Sequence, residues 1–560
     1  MSFTLKKALV EEKRRSVSSS VELPERGSLQ EVAHEINDGK VPLEERIARR
    51  KLLPRQVSMI GIGGAIGTAL FVSIGSKVIE GGPGSLLIAF CLWSVVFIGL
   101  SQSMCVMVSY LPVTGSFVHF ADRFVDRSCG FAVGWTYFVC QSSNVCFEIT
   151  AVCLVVEYWT DKIPKAALIS ILIVLFGFLN LYSVFFFGEG EFYLSIGKVV
   201  LAIGLIIFTI VTMSGGNPQH KVLGFKNWDN PGAFAEYLTT GSSGRFNGFM
   251  ACMIFALYVF WGVDYLGNAA SEAMNPRKVI PSAFKKVFSR LIIFYIGGAI
   301  CVGILIPFND PEMIKAISEG AVGAGASPYV SAMNTMGIKV LPHIVNVLIL
   351  SSIISAGNSS LYSSSRVLHR LALENQAPAF LKKVTKRGVP LYCCITVLVI
   401  SGLSYLSVSN STNKVLTWFL NIQTSAMAIV YIFICISYLQ FCRGCKVQGV
   451  DMNTLPYYSR FLPYLTWHSL FWLTVMLFVS GYSVFLKDNW DVQSFVFCYF
   501  MIPFFIVLFV GHKLYLRGTF VKPKDMDLFS GLEDLAEEDE YWKENPPKLN
   551  WLDKSFGLLL

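Results

Sequence analysis

The stretch Gln56-Val57-Ser58-Met59-Ile60-Gly61-Ile62-Gly63-Gly64-Ala65-Ile66-Gly67-Thr68-Ala69-Leu70-Phe71 lies in the first long apolar run of the chain. Its apolar character predicts a membrane helix, yet it holds four glycines within seven residues, Gly61, Gly63, Gly64 and Gly67. Each costs roughly 1 kcal/mol relative to alanine inside a helix, so the density predicts an unwound segment. In lipid, unwound backbone is tolerated only where protein packs around it or where it lines a cavity. Backbone groups freed along Gly61, Gly63, Gly64, Ala65, Gly67 and Thr68 would then hold an anion such as a carboxylate at the start of the resumed half-helix. The same residues would equally serve as a small-residue face for close helix packing. The glycines alone leave both readings open.

Composition sets the class around this stretch. The 560 residues are 53% hydrophobic and 15% charged, with mean hydropathy +0.54, where a soluble domain carries about 25% charged residues. Twelve apolar stretches are each long enough to cross a bilayer, at 57–78, 84–108, 129–155, 166–186, 192–214, 247–271, 288–307, 340–366, 391–408, 415–439, 466–486 and 494–515. The expected fold is an all-α polytopic membrane protein. Residues 1–54 are polar and mixed in charge, without the apolar core of a signal peptide. They read as a disordered cytosolic tail, with Ser16-Val17-Ser18-Ser19-Ser20 as a candidate phosphorylation tract. Residues 55–516 form the twelve-helix domain, and 517–560 a cytosolic C-terminal tail.

The net charge of +8 resides in connecting loops, so it does not point to nucleic acid. Arg46, Arg49, Arg50, Lys51 and Arg55 precede the first span, and Arg123 and Arg127 follow the second. The loop after span six holds Arg277, Lys278, Lys285, Lys286 and Arg290, and the loop after span eight Arg366, Arg370, Lys382, Lys383, Lys386 and Arg387. Opposite loops are sparse, with Glu80, Lys414 and Lys487. The positive-inside rule therefore puts both termini in the cytosol, and the sequon Asn410-Ser411-Thr412 falls outside. Fourteen cysteines are mostly scattered through apolar segments as small hydrophobes. Cys442 and Cys445 share C-x-x-C spacing in a basic loop, but further ligands at suitable spacing are missing, so reduced or lipidated thiols are expected and no metal.

Span six mirrors span one. Phe260-Trp261-Gly262-Val263-Asp264-Tyr265-Leu266-Gly267-Asn268 interrupts an apolar helix with two glycines, an acid and an amide. Broken first and sixth spans predict two five-helix repeats with a site between them at the bilayer midplane. Spans eleven and twelve would be additions.

From about Arg55 onward the chain resembles the fungal amino-acid permease family of the amino acid–polyamine–organocation superfamily. The resemblance rests on Gly63-Gly64-Ala65-Ile66-Gly67-Thr68, Gly81-Gly82-Pro83, Phe187-Gly188-Glu189 with Glu191-Phe192, and Gly224-Phe225. It continues through Ser271-Glu272-Ala273-Met274-Asn275-Pro276-Arg277-Lys278, Pro307-Phe308-Asn309-Asp310-Pro311, Val340-Leu341-Pro342-His343-Ile344 and Ser355-Ala356-Gly357-Asn358-Ser359. The likeness implies a LeuT-type 5+5 inverted repeat and proton-coupled amino-acid uptake at the plasma membrane, with vacuolar or endosomal membranes as the alternative. Gly67-Thr68-Ala69-Leu70-Phe71-Val72 and Gly82-Pro83-Gly84-Ser85-Leu86-Leu87 most resemble a yeast branch linked to carnitine and polyamine uptake, partly as a regulator of other carriers.

A charge inside a membrane helix costs several kcal/mol and needs a reason. Glu148, mid-span, resembles a proton-handling or cation-recognising acid of the family; otherwise it is a structural partner for an internal amine or hydroxyl. Lys198 in span five resembles a lysine proposed in related carriers to exchange a proton beside span one, in place of a sodium ion. With the span starting near Phe192 it lies about 9 Å deep at 1.5 Å per residue, within reach of snorkelling to the cytosolic interface. Asp264 would bind a substrate amine or cap freed backbone N–H groups. Phe260 or Trp261 would close over the ligand, or hold a quaternary ammonium, unless they only pack; Ser355 and Asn358 are hydrogen-bonding candidates. One departure stands out: Val106 replaces the acid with which relatives end span two, and valine neither titrates nor pairs.

Neither a hydrolase nor a transferase constellation is present, and no P-loop, so no enzyme, cofactor or ATP-driven step is expected. The partners expected are an amino acid or amine, protons, the lipid bilayer, and cytosolic trafficking or ubiquitination machinery acting on the tails. Three functions remain open: amino-acid uptake, a non-transporting nutrient receptor, and a carnitine or polyamine carrier.

Overall fold

Pro54 begins the first membrane helix where its missing N–H costs nothing, and the Gln56 side chain accepts the Leu53 N–H at 3.0 Å to cap the turn. In this computed structural model the described residues are Leu43, Ile47, Arg50 and 52–546, apart from 114, 161, 183, 319–326, 386–388 and 487–488. The expected tail, its serine tract and the last residues of the chain thus lie largely outside the described residues. Helix α1 (Pro54–Ala65) stops at Ile66, whose φ of −93° and ψ of 111° are extended, and a π-helical turn, Ala69–Ser73, leads into α2 (Ile74–Tyr110).

Gly82 divides α2 into the end of the first span and the whole of the second. Its φ of 78° favours glycine, and a Cβ there would lie 2.6 Å from the Ala233 carbonyl oxygen. That carbonyl accepts the Gly84 N–H at 2.8 Å, while the Ala235 N–H returns to Gly81 at 3.1 Å. The turn between the spans is thereby stitched to the 233–235 loop.

The helices that follow are α3 (Ser116–Phe124), α4 (Arg127–Val156), α5 (Lys165–Tyr182), α6 (Val184–Met213) and α7 (Gly241–Val259). Then come α8 (Val263–Ala269), α9 (Pro276–Leu305), α10 (Leu341–Leu373), α11 (Leu391–Ser401) and α12 (Thr412–Gln448). The last helices among the described residues are α13 (Leu462–Val479), α14 (Val492–Tyr499), α15 (Met501–Leu516) and α16 (Leu532–Glu544). Among the described residues nine helical segments are long and apolar enough to cross a membrane, and α14 with α15, bent by 45°, make a tenth. Dividing the segment Ala69–Tyr110 at Gly82 and adding the shorter apolar helix Lys165–Leu181 recovers the twelve expected spans. The bend in the twelfth has a local cause, since the Pro503 ring crowds the carbonyl four residues back, at Tyr499.

Burial separates centre from rim. In α4, 89% of the most apolar window is buried, against 39% in the segment Gly190–Met213 of α6. The third span is therefore a central post enclosed by protein, and the fifth shows a face to lipid. Cys442 and Cys445 do not occupy a loop: α12 runs on through them, with Cys445 buried, and no metal-binding cluster of His, Cys, Asp or Glu occurs among the described residues.

The stretch from Arg50 into the first span and the segment after the last span lie on one face, the chain-end face. Arg50 Nε meets Glu538 of α16 at 2.6 Å, both buried, and Arg277 Nη1 meets Asp539 at 2.7 Å. Arg50 Nη1 also donates to the Ser271 carbonyl at 3.0 Å. Leu52 pairs with the strand-like turn after α8, donating to Glu272 O at 2.9 Å and accepting from Met274 N at 3.0 Å. The segment before α16 crosses the same face, where Tyr110 Oη donates to Leu528 O at 3.0 Å and Arg123 Nε to Asp527 O at 2.6 Å. Leu535, Glu538 and Trp542 are the buried residues of α16, spaced to share one side of the helix.

Candidate functional site

Both broken spans meet α4. In the first, helix is lost only at Ile66 and Gly67, between α1 and Thr68. Gly61, Gly63 and Gly64 lie within α1, where they serve close approach. A Cβ on Gly61 would lie 2.9 Å from Leu266 Cγ, one on Gly64 2.6 Å from the Tyr265 ring, and one on Gly63 2.2 Å from Ser195 Oγ. The two readings left open by the sequence thus divide along the stretch, packing at the first three glycines and unwinding at the last. Ala65 is the final residue of α1. The groups without intrahelical partners belong to the first turn after the break, beginning at Gly67 and Thr68.

Glu148 stands at that point. Thr68 Oγ1 donates to its Oε2 at 2.5 Å, and a Cβ on Gly67 would lie 3.0 Å from its Oε1. Glu148 is only 3% exposed. A buried carboxylate therefore rests against the N-terminal end of the resumed half-helix, where the partial positive charge of the backbone favours an anion.

Lys198 reaches α1 and not the aqueous interface. Its Nζ donates to the Gly63 carbonyl and lies 4.0 Å from Glu191 Oε1, with both side chains fully buried. Glu191 also accepts from Ser355 at 2.6 Å and from Ser195 at 3.4 Å. Its Oε2 is buried with no hydrogen-bond partner. Ser355 thus serves α6, while Asn358 accepts from Asn180 of α5 at 2.6 Å. Sequence reasoning did not single out Glu191, because starting the span near Phe192 left it outside the membrane. The signal was present: Glu191, Ser195 and Lys198 are four and three apart, on one face of a helix.

In the sixth span α7 ends at Val259 and α8 begins at Val263, with Gly262 at φ 116° between them. Asp264, fully buried in the first turn of α8, accepts from Tyr137 Oη at 2.6 Å and Gln141 Nε2 at 3.2 Å. Tyr265 extends the network, donating to Gln141 Oε1 at 3.2 Å, and Asn144 donates to Ser360 at 2.7 Å. Phe260 packs among Tyr295, Phe97 and Phe90, with centroids at 4.9, 5.3 and 5.9 Å. Trp261 lies edge-on to Tyr258 at 6.0 Å, and its Nε1 is buried without a partner.

A cavity of about 520 Å3 leads to this centre from the face opposite the chain ends. Thr68, Val72, Phe147 and Phe255 line its wall, and Lys77, Glu80 and Lys414 are its charged lining residues. Lys77 and Glu80 pair at 2.7 Å. Of the residues expected from sequence, Thr68 lines this cavity, with Glu148 directly behind its hydroxyl. Gly63, Lys198 and Ser355 gather around Glu191 on the chain-end side of the break, and Asp264 sits in a separate network on α4. Val106 is fully buried within the apolar core.

Residues 56–524 match the family model described as amino acid permease. The General amino acid permease AGP2 of Saccharomyces cerevisiae is 37% identical, over 92% of this chain and 88% of its own length. The Dicarboxylic amino acid permease of the same yeast is 35% identical over 93% and 88% of the two chains, and its Proline-specific permease 36% over 91% and 83%.

Proposed function

This chain belongs to the amino acid permease family, and we propose that it takes up amino acids across the plasma membrane by proton-coupled alternating access. The basic loops on the face of Arg50 and α16 support a cytosolic position for that face. The cavity then opens outward, and the stitches between Leu52, Ala273 and α16 close the inner side.

The observation that carries proton coupling is the seat of Glu148 against Thr68 and Gly67. A substrate carboxylate arriving from the cavity would seek the same hydroxyl and the same half-helix end. Two carboxylates cannot both stay ionised in so small a buried space. Entry of the substrate therefore requires Glu148 to hold a proton, and the two cross together. The ammonium end would face carbonyls freed at the sixth-span break, with Asp264 available once α8 shifts away from Tyr137 and Gln141. Lys198, bound to Gly63 and Glu191, would tie movement of α1 to α6 and supply the positive charge there.

Purified protein in proteoliposomes, offered labelled amino acids, carnitine and spermidine with and without an inward proton gradient, tests this. At least one amino acid should accumulate only with the gradient. Glu148→Gln should abolish gradient-driven accumulation while retaining exchange of substrate across the membrane. Full accumulation by that variant would refute the coupling. Val106 favours a second reading, a nutrient receptor of this fold, because no titrating group stands where relatives carry one. Ligand binding without accumulation of any candidate would decide for it; accumulation of carnitine or spermidine alone would make the chain an amine carrier.

A further inference from the structure

Away from the transport path, a groove of about 210 Å3 lies between α2 and α9, beside the loop that joins α12 to α13. Its lining mixes apolar and polar residues, with Pro281 and Phe284 beside the one cation and Ser101 and Ser289 among the deeper residues. Toward the chain-end face stand Gln102, Lys285 and Tyr457; deeper in the bilayer stand Ile98, Phe288 and Ile292. From Lys285 to Ile292 the helix climbs about 10 Å, roughly the passage from headgroup level into hydrocarbon. Lys285 is exposed and joins no ion pair among the described residues, and no acid lines the groove.

Apolar walls that carry a single cation, with an amide and a phenol nearby and no acid, match one kind of occupant. We propose that this groove binds a glycerophospholipid of the chain-end leaflet with an anionic headgroup, its phosphate at Lys285 and Tyr457 and an acyl chain along Ile98, Phe288 and Ile292. A neutral sterol would offer the ammonium a hydroxyl but no opposite charge, and free phosphate would leave the apolar walls unused. The bound lipid would join α2 and α9 to the loop before α13, and so brace helices that flank the two broken spans. The inference depends on membrane embedding and not on transport, so its failure would leave the transport reading untouched.

The test uses the full-length protein in nanodiscs carrying trace photoactivatable phosphatidylserine or phosphatidylcholine, with cross-linked peptides mapped along Pro276–Leu305. Phosphatidylserine should label the Phe284–Ile292 region in preference to phosphatidylcholine. Lys285→Gln should lower that preference about fivefold, the weight of one interfacial cation, and Lys285→Arg should keep it. Equal labelling by the two lipids, or an undiminished preference in Lys285→Gln, would overturn the proposal. So would competition by inorganic phosphate or by a sterol as effective as unlabelled phosphatidylserine. Should Lys285→Gln fail to fold, the contrast between the two lipids on the unaltered chain decides alone.

Discussion

The two interrupted spans use the same sequence device and reach different ends. Around the first, the neighbours are charged: Glu148 sits at the resumed half-helix and Lys198 takes a carbonyl of α1. Around the sixth, Phe260 is held by three aromatic rings, and the one acid nearby is bound by Tyr137 and Gln141. One break is therefore set where protonation or a ligand would change its balance. The other is held by aromatic packing around Phe260 and by the hydrogen bonds to Asp264. Glycine opens a helix in both cases, but the side chains arriving from α4 and α6 at the first and from α2, α4 and α9 at the sixth decide what the opening is for.

The largest test of this contrast lies in α1. Gly63→Val would drive carbon into Ser195 Oγ and Glu191 Oε1, 2.2 and 2.4 Å from the first added atom. Both belong to a buried charged cluster that cannot yield to solvent. We expect a loss above about 4 kcal/mol, the range of exceptional core lesions, seen as failure to recover monodisperse protein by size-exclusion chromatography. Normal recovery would mean that α1 and α6 are less closely joined than described.

Phe260→Ala asks whether the sixth break depends on its rings. Aromatic truncations in soluble cores cost about 3–5 kcal/mol; here the chain unfolds into lipid, so the cavity dominates and about 2 kcal/mol is expected. Thermal unfolding in detergent measures it, and an unchanged midpoint would remove the packing half of the comparison. Asp264→Asn should act more weakly, by about 1–2 kcal/mol, because an amide oxygen still accepts from Tyr137 but without the charge. If it instead abolished coupling as completely as Glu148→Gln, the two breaks would be alike in function.

Much of this was legible in the sequence. Apolar run lengths returned the twelve spans, and two glycine-bearing lines located both breaks. What escaped was position at the scale of a single turn. Gly63 and Gly64 stay helical because Ser195, Glu191 and Tyr265 fit against them, so the free end of the half-helix falls at Gly67. Glu191 was lost to a span boundary drawn one residue too late. Cys442 and Cys445 read as loop residues because Arg443 and Lys446 surround them, whereas α12 simply projects beyond the apolar layer. Periodicity reports which face a residue takes on its own helix; it is silent on which other helix meets that face.

The seating of α16 over Arg50 gives the segment that follows the last span leverage over the entry to the first. Tilting α1 toward the chain-end side would pull Arg50 from Glu538 and from the Ala270 carbonyl, which are withdrawn from water, and from the half-buried Ser271 carbonyl. If the two faces open in turn, as proposed, these contacts would weight the balance between them from beyond the bilayer. A cell that lifts this last helix, or leaves it down, would adjust traffic through the protein without altering a single residue that the cargo touches.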